Sequence, residues 1–181
     1  MVDDYSGYKA LFGAGVTELG CLAHARRKYF ELNAAQPHPI ALEAMERIAA
    51  LYAIEDQGKD MDVVERTQLR QAQAQPVLRD MHDWLLRTRA TVANGGGTAK
   101  AIDYSLKRWA ALSRYADDGR LPIDNNPVEN AIRPIAVGKK NWLFTGSERA
   151  GKRAAAIQSL LATAKLNGLD PSAWLRDTLE A

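Results

Sequence analysis

Two groups of acidic side chains in this sequence are of the type that could hold a divalent metal ion. Glu129 lies in the segment IDNNPVEN with Asp124 close before it, and Asp3 and Asp4 stand near the first residue. Carboxylate oxygens are the ligands that Mg²⁺ prefers, and one segment usually supplies only one or two of them. A metal site built on Glu129 would therefore need ligands from a distant part of the chain.

Glu129 also fits a purely structural role. An asparagine at the cap, a proline at the first helical position and a glutamate two residues later are typical of a helix start, where the glutamate satisfies backbone donors. The Asp3-Asp4 pair equally fits a polar turn. From the residues alone, both interpretations of these carboxylates stay open.

Cations are concentrated just after Glu129. Positions 133–153 carry six Lys or Arg against one acid, a local charge of +5, whereas the whole chain is only +2. A surface of this kind attracts a polyanion, so these residues are candidate phosphate contacts. The six cations are Arg133, Lys139, Lys140, Arg149, Lys152 and Arg153.

Aromatic residues accompany some of these cations. Trp142 and Phe144 alternate around Leu143, which predicts an extended segment after Lys140. The rings could stack on unpaired bases while the cations contact phosphates, or they could fill the core of a β-hairpin. Likewise, the run Arg26-Arg27-Lys28 is either a phosphate-binding surface or a solvated helix face.

The composition limits the possible locations of the chain. Its single cysteine, Cys21, excludes an internal disulfide framework and fits a reducing compartment. No apolar run approaches the roughly 20 residues of a membrane span, and the start MVDDYSGYK does not resemble a signal peptide. We therefore expect a cytoplasmic protein without a membrane partner. Cys21 and His24 have half the spacing of a zinc site but no second pair, so Cys21 is interpreted as a buried strand residue.

Three regions are expected from the pattern of apolar residues. Positions 1–36 contain a buried strand over Val16–Leu22 that feeds a helix. Positions 37–119 begin at the break Pro37-His38-Pro39 and are almost entirely helical in pattern, with a flexible turn at 94–97. Positions 120–181 contain the Glu129 helix, the basic hairpin and C-terminal helices for which Ser147 and Asp170 are caps.

Three segments together resemble the insertion sequence 66 family of DDE transposases. They are VDDYSGYKAL at 2–11, ELGCLAHARRKYFE at 18–31 and IDNNPVENAIRPIAVGKKNWLFTGSERAGKRAAAIQSLLATAKLNGLDPSAWLRD at 123–177. The resemblance implies a mainly α (α+β) fold: part of a ribonuclease H-like core with a large helical insertion, the first strands of the core being missing.

The resemblance also implies a reaction. In that family three carboxylates bind two Mg²⁺ or Mn²⁺ ions that support DNA strand cleavage and joining. Glu129 occupies the third carboxylate position and Asp3 the second, although Asp4 stands where the family has glycine. The first aspartate is expected upstream of Met1, so the chain is interpreted as a truncated transposase. The alternative is a non-catalytic remnant that binds DNA or another transposase.

DNA, both transposon ends and target, is the partner that the resemblance implies, with a second copy of the chain or other transposition proteins as further partners. It implies a cytoplasmic, nucleoid-associated protein. Arg26, Arg27 and Trp142 join the six cations as expected DNA contacts. Asn130 stands where an arginine commonly follows the catalytic glutamate, which removes one cation from the expected DNA surface.

Overall fold

The computed structural model describes residues 12–142 and 146–180, without the side chains at 135 and 139–142. It divides the chain into two compact units, Met1–Asn126 and Pro127–Ala181. The described part of the chain is mainly α, as expected from the sequence. None of its helices is long and apolar enough to cross a membrane.

Six α-helices lie wholly within the described part of the first unit. They are α1 Leu22–Ala35, α2 Pro39–Gln57, α3 Val63–Leu69, α4 Gln75–Thr91, α5 Gly97–Lys107 and α6 Trp109–Ser113. A π-helical segment, Arg70–Ala74, joins α3 to α4, and a 3₁₀ turn, Arg114–Asp117, follows α6. Helices α1, α2, α4 and α5 pack in a ring, each against the next. The apolar side chains inside this ring make the core of the unit, among them Tyr29, Ile48, Leu51, Leu78, Met81, Leu85 and Ile102.

A buried arginine ties the π-helical segment to the rest of the first unit. Arg70 is only 1% exposed, and its guanidinium donates to both carboxylate oxygens of Glu55 at 2.8 and 2.6 Å. The same group donates to the carbonyl oxygens of Tyr115 and Asp118 at 2.8 and 2.6 Å. Because a buried charge is costly unless it is fully paired, these four bonds are what allows Arg70 to lie in the interior.

Three helices follow in the second unit. Helix α7 (Asn126–Trp142) begins at the boundary, and α8 (Glu148–Leu166) and α9 (Pro171–Glu180) complete the chain. The Ser147 hydroxyl accepts a hydrogen bond from Ala150 N at 3.1 Å, and Asp170 Oδ1 accepts one from Ala173 N at 2.7 Å. Both caps expected from the sequence are therefore confirmed.

Two expectations of extended structure are wrong within the described residues. Positions 16–21 form no continuous strand: only Gly20 makes an isolated β-bridge, its N donates to Ala111 O at 2.8 Å, and Leu22 already begins α1. A strand needs a neighbouring strand to satisfy its backbone, and residues 12–142 and 146–180 provide none here. Asn141 and Trp142, which begin the segment expected to be extended, belong to α7, since this helix continues past Pro134 to Trp142. Leu143 and Phe144, the rest of that segment, lie outside the described residues.

Candidate functional site

The segment before the Glu129 helix is organised by a buried carboxylate. Asp124 is 7% exposed. Its Oδ1 accepts from Asn126 N at 3.0 Å, and its Oδ2 accepts from Asn126 Nδ2 at 2.7 Å and from the Tyr52 hydroxyl at 2.8 Å. Asp124 was a second candidate metal ligand from the sequence. With three protein donors on its two oxygens, it instead acts as an anchor for the turn that opens α7.

Tyr52 enters this arrangement from α2, in the middle of the helical block. Burial raises the pKa of Tyr52 well above its usual range, and the hydrogen bond to Asp124 and the charge of that carboxylate raise it further. The phenol is therefore protonated at every physiological pH, and it is the donor in the bond to Asp124. The bond links α2 to the segment that leads into α7.

A second set of contacts holds the same segment from the other end of the chain. Leu22 N donates to Ile123 O at 3.2 Å, and Asn125 N donates to the Cys21 sulfur at 3.3 Å. Cys21 is buried, as the sequence indicated, although it precedes a helix and does not lie in a strand. The Cys21 thiol therefore accepts a hydrogen bond from the backbone of the segment that comes before α7, within the first unit.

Glu129 lies in the first turn of α7, as predicted, and its side chain is half-buried. A carboxylate is favourable there because the helix N-terminus carries partial positive charge. Arg133 is exposed and four residues further along, so it lies on the same face of the helix. This face therefore presents one acidic and one basic group.

The metal-binding expectation depends on residues outside the described part of the chain. Asp3, the second expected ligand, is among residues 1–11, which are outside it. Within residues 12–142 and 146–180, no three His, Cys, Asp or Glu side chains are grouped closely enough to hold one ion. The described residues alone therefore do not fit a metal ion, and Glu129 is the one expected ligand among them.

Part of the predicted basic surface lies on α8. Arg149, Lys152 and Arg153 are exposed and stand at spacings of three and four residues, which places them on one face of the helix. Lys152 Nζ contacts Glu148 Oε1 at 2.7 Å, but both side chains are more than three-quarters exposed, so the pair is weak. The side chains of Lys139, Lys140 and Trp142 lie outside the described residues.

Arg26 and Arg27 are exposed on α1, and both line a cavity of about 540 Å³ in the first unit. Phe30, one turn further along the helix, lines it as well and is 54% exposed. The remaining walls are Ala23, Ala49, Tyr52 and Asn126. The two cations predicted as a phosphate surface thus share a concave site with an aromatic ring.

Comparison with known protein families gives two matches for this chain. The model described as Transposase IS66 family matches residues 1–153, and the model described as IS66 C-terminal element matches residues 159–181. The chain belongs to the Transposase IS66 family. Because the IS66 family model spans the first unit as well as α7, the helical block over 37–119 falls within the family match.

Several curated relatives of this IS66 family member come from Sinorhizobium fredii (strain NBRC 101917 / NGR234). Uncharacterized protein y4hP is 39% identical over 194 residues, covering 98% of this chain and 35% of the relative. Uncharacterized protein y4qI is 38% identical over 186 residues, covering 98% of this chain and 34% of the relative. The chain therefore spans about a third of the length of these proteins. No solved structure matches it.

Sequence reasoning missed two residues of the IS66 chain that the structure places at this site. Nothing local distinguishes Tyr52 as a tyrosine whose hydroxyl bonds a carboxylate 72 residues away. For Phe30 the available signal was its position three and four residues after Arg27 and Arg26, which makes the three side chains neighbours on one helix.

Proposed function

We propose that this chain is part of a transposase that cuts and joins DNA with divalent metal ions. Membership of the IS66 family over residues 1–153 carries the proposal. DDE transposases generally use divalent metal ions, which activate an attacking oxygen and stabilise a leaving oxygen at a phosphodiester. In this proposal Glu129 and Asp3 are metal ligands for two Mg²⁺ or Mn²⁺ ions, and the remaining carboxylate comes from outside this chain.

The chain's own residues would contribute position and charge. The bonds of Asp124 to Asn126 and Tyr52 hold the turn that comes before α7 in the chain. The exposed cations Arg133, Arg149, Lys152 and Arg153, with Lys139 and Lys140, would neutralise DNA phosphates, and Trp142 would stack on a base. Such a protein would work at the nucleoid in the cytoplasm, on transposon ends and target DNA, and as a homo-oligomer or with other transposition proteins.

The ribonuclease H-like core remains part of the proposal. The described residues form helices, and a core of that kind would be completed by strands outside them. The chain spans about a third of the length of its relatives. The proposal is therefore tested on a fusion of the chain with the rest of a related protein.

The experiment puts this chain into the Sinorhizobium y4hP protein in place of the segment that it matches, so that the rest of y4hP is retained. The chimaera is purified and given a labelled DNA fragment with transposon ends and a supercoiled target plasmid. We expect joined products in Mg²⁺ or Mn²⁺, and none when the ions are chelated. Asp3→Asn should abolish joining while DNA binding persists.

The alternative function is DNA binding without catalysis, and the exposed cations on one face of α8 favour it. In that case the isolated chain binds DNA in a salt-sensitive, sequence-indifferent manner, yet the chimaera forms no joined product under any metal condition. Replacing Arg149, Lys152 and Arg153 by Gln should lower the salt dependence of binding by roughly 0.9 in log–log slope per lost phosphate contact.

A further inference from the structure

The cavity beside α1 has the size of a site for one small molecule or one nucleotide. Its volume of about 540 Å³ lies within the roughly 300–1,000 Å³ of known ligand pockets. None of the described residues that line it is acidic, whereas two of them, Arg26 and Arg27, carry positive charge. The charge of the site therefore suits an anion.

Arg26 and Arg27 differ from most arginines of the first unit in having no hydrogen-bonded or ion-paired partner among the described residues. Neither side chain makes a hydrogen bond or an ion pair with another described residue. By contrast, seven arginines of this unit donate to protein oxygens: Arg47, Arg66, Arg70, Arg89, Arg108, Arg114 and Arg120. The donors of Arg26 and Arg27 are thus available to a ligand, and an arginine fork is well matched to a phosphate.

Phe30 supplies an apolar surface next to these donors. It follows Arg26 by four residues and Arg27 by three, so the three side chains are neighbours on α1. More than half of the surface of Phe30 is exposed, and the residue lines the cavity. Every nucleobase has a face that can stack on such a ring, and stacking beside cations is the usual way in which proteins bind unpaired strands.

Asn126 adds one hydrogen-bonding group to the cavity. Its side-chain nitrogen donates to Asp124 Oδ2 at 2.7 Å, which fixes the orientation of the amide. The side-chain carbonyl oxygen is then left as an acceptor, and an acceptor of this kind can bond the amino group of a base. Since Asn126 also begins α7, the cavity lies at the start of the helix that carries Glu129.

We propose that this cavity binds one unpaired nucleotide of a DNA strand, with its base on Phe30 and its phosphate on Arg26 and Arg27. The inference rests on the proposed function in taking DNA as the ligand, and it adds that the bound strand is locally single. A base within a duplex has both faces covered by its neighbours and cannot stack on Phe30. The site should therefore discriminate single-stranded from duplex DNA.

The test measures the binding of the full 181-residue chain to a fluorescein-labelled 15-nucleotide single strand and to the matching duplex, by anisotropy at fixed salt. Phe30→Ala should weaken single-strand binding by about 5- to 100-fold, as expected for one stacked base, and should leave duplex binding within about twofold. Phe30→Trp should restore it. The double change Arg26→Gln with Arg27→Gln should weaken single-strand binding further and reduce its salt dependence.

Two matched controls come from α4. Leu86 is a 49% exposed apolar residue and Arg79 an exposed cation, and neither lines this cavity. Leu86→Ala and Arg79→Gln should leave binding unchanged. The subsite is overturned if Phe30→Ala binds the single strand as tightly as Leu86→Ala does, or if single-strand and duplex affinity fall together.

The outcomes separate this inference from the proposed function. Phe30-dependent single-strand binding by a chain whose chimaera forms no joined DNA would support the subsite and contradict the transposase. A chimaera that joins DNA while Phe30→Ala binds the single strand normally would support the transposase and overturn the subsite. A chain that binds neither form of DNA would overturn the subsite directly.

Discussion

The hydroxyl of Tyr52 donates a 2.8 Å hydrogen bond to Asp124 across 72 residues of sequence, and this bond joins α2 to the turn that opens α7. Asp124 is almost fully buried, and three hydrogen-bond donors compensate its carboxylate for the loss of water. The helical block over 37–119 is therefore connected to the beginning of the Glu129 helix by a specific polar contact and not only by apolar packing.

Removing the hydroxyl of Tyr52 tests the strength of this contact. Tyr52→Phe should lower the free energy of unfolding by about 0.5–1.5 kcal/mol, because two donors from Asn126 still serve Asp124. Asp124→Ala should cost more, since it also leaves the Tyr52 hydroxyl without its acceptor. Urea unfolding of both single variants and the double variant gives the coupling energy. Strict additivity of the two changes would contradict a direct bond.

The buried Arg70–Glu55 pair should be the most sensitive ion pair of the first unit. Arg70→Met leaves Glu55 and two carbonyl oxygens unpaired, so we expect a loss of about 3–5 kcal/mol in unfolding free energy. Arg70→Lys should not rescue it, because an ammonium cannot reproduce the bidentate geometry. Arg47→Met is the control: Arg47 pairs with Glu43 and Asp80 on the surface, and its loss should cost less than about 1 kcal/mol.

An equal loss of unfolding free energy for Arg70→Met and Arg47→Met, measured by urea unfolding, would contradict the structural role of Arg70. Combining Arg70→Met with Glu55→Leu should recover part of the loss, because no unpaired carboxylate then remains in the interior.

Tyr29 should make the protein sensitive to alkaline pH. Its side chain is fully buried, and burial raises the pKa of Tyr29 to about 12 although the hydrogen bond with Ser105 lowers it slightly. A raised folded-state pKa gives stability that is complete below the unfolded value near 10 and is lost as the pH rises toward 12. The slope between these values is about 1.4 kcal/mol per pH unit.

Tyr29→Phe should therefore make the unfolding free energy fall less steeply between pH 10 and 12. The difference in slope should correspond to about one proton released on unfolding. Ser105→Ala is the matched control, because it removes the hydrogen-bond partner and leaves Tyr29 able to titrate. Urea unfolding at a series of pH values measures both slopes. The same slope for Tyr29→Phe and the unchanged protein would show that folding does not raise the pKa of Tyr29.

Gly119 lies where the chain between the 3₁₀ turn and α7 crosses α3. Its N donates to Thr67 Oγ1 at 2.8 Å, and a β-carbon at this position would stand 2.3 Å from the Val63 carbonyl oxygen. Because that oxygen belongs to the backbone of α3, it cannot turn aside, and Gly119→Ala should cost about 1–3 kcal/mol. At Gly96 the nearest atom would be 3.9 Å from the added β-carbon, so Gly96→Ala should be tolerated. Thermal unfolding of the two variants measures the difference.

Local signals in the sequence were sufficient for the starts of the three C-terminal helices. Ser147 and Asp170 were recognisable as caps because a cap bonds the backbone two or three residues away. Glu129 was placed correctly in a first helical turn for the same reason, although the structure begins α7 at Asn126, one residue earlier than the sequence indicated. Such interactions are contained within one short segment.

Contacts between distant segments were not predictable from the same signals. The expected strand over Val16–Leu22 failed because an apolar run of that length fits either a strand or a packed connection, and Gly20 here packs directly against Leu112. The expected extended segment after Lys140 is wrong at Asn141 and Trp142, because alternating aromatics do not exclude a helix and α7 continues through Pro134 to Trp142. The Tyr52–Asp124 bond and the cavity at Phe30 depend on how whole helices pack.

Glu129 is the residue on which the proposed function depends most. The decisive measurement is the yield of joined DNA in Mg²⁺ from the chimaera, compared between Glu129→Gln and Glu148→Gln. Both glutamates stand in the first turn of a helix, and each change removes one negative charge. Loss of a residue that only hydrogen-bonds to a metal ligand typically costs roughly 10- to 100-fold in activity. We predict that Glu129→Gln lowers the yield of joined DNA by more than this, and that Glu148→Gln joins DNA at nearly the wild-type yield. Equal activity of the two variants would contradict the assignment of Glu129 as a metal ligand.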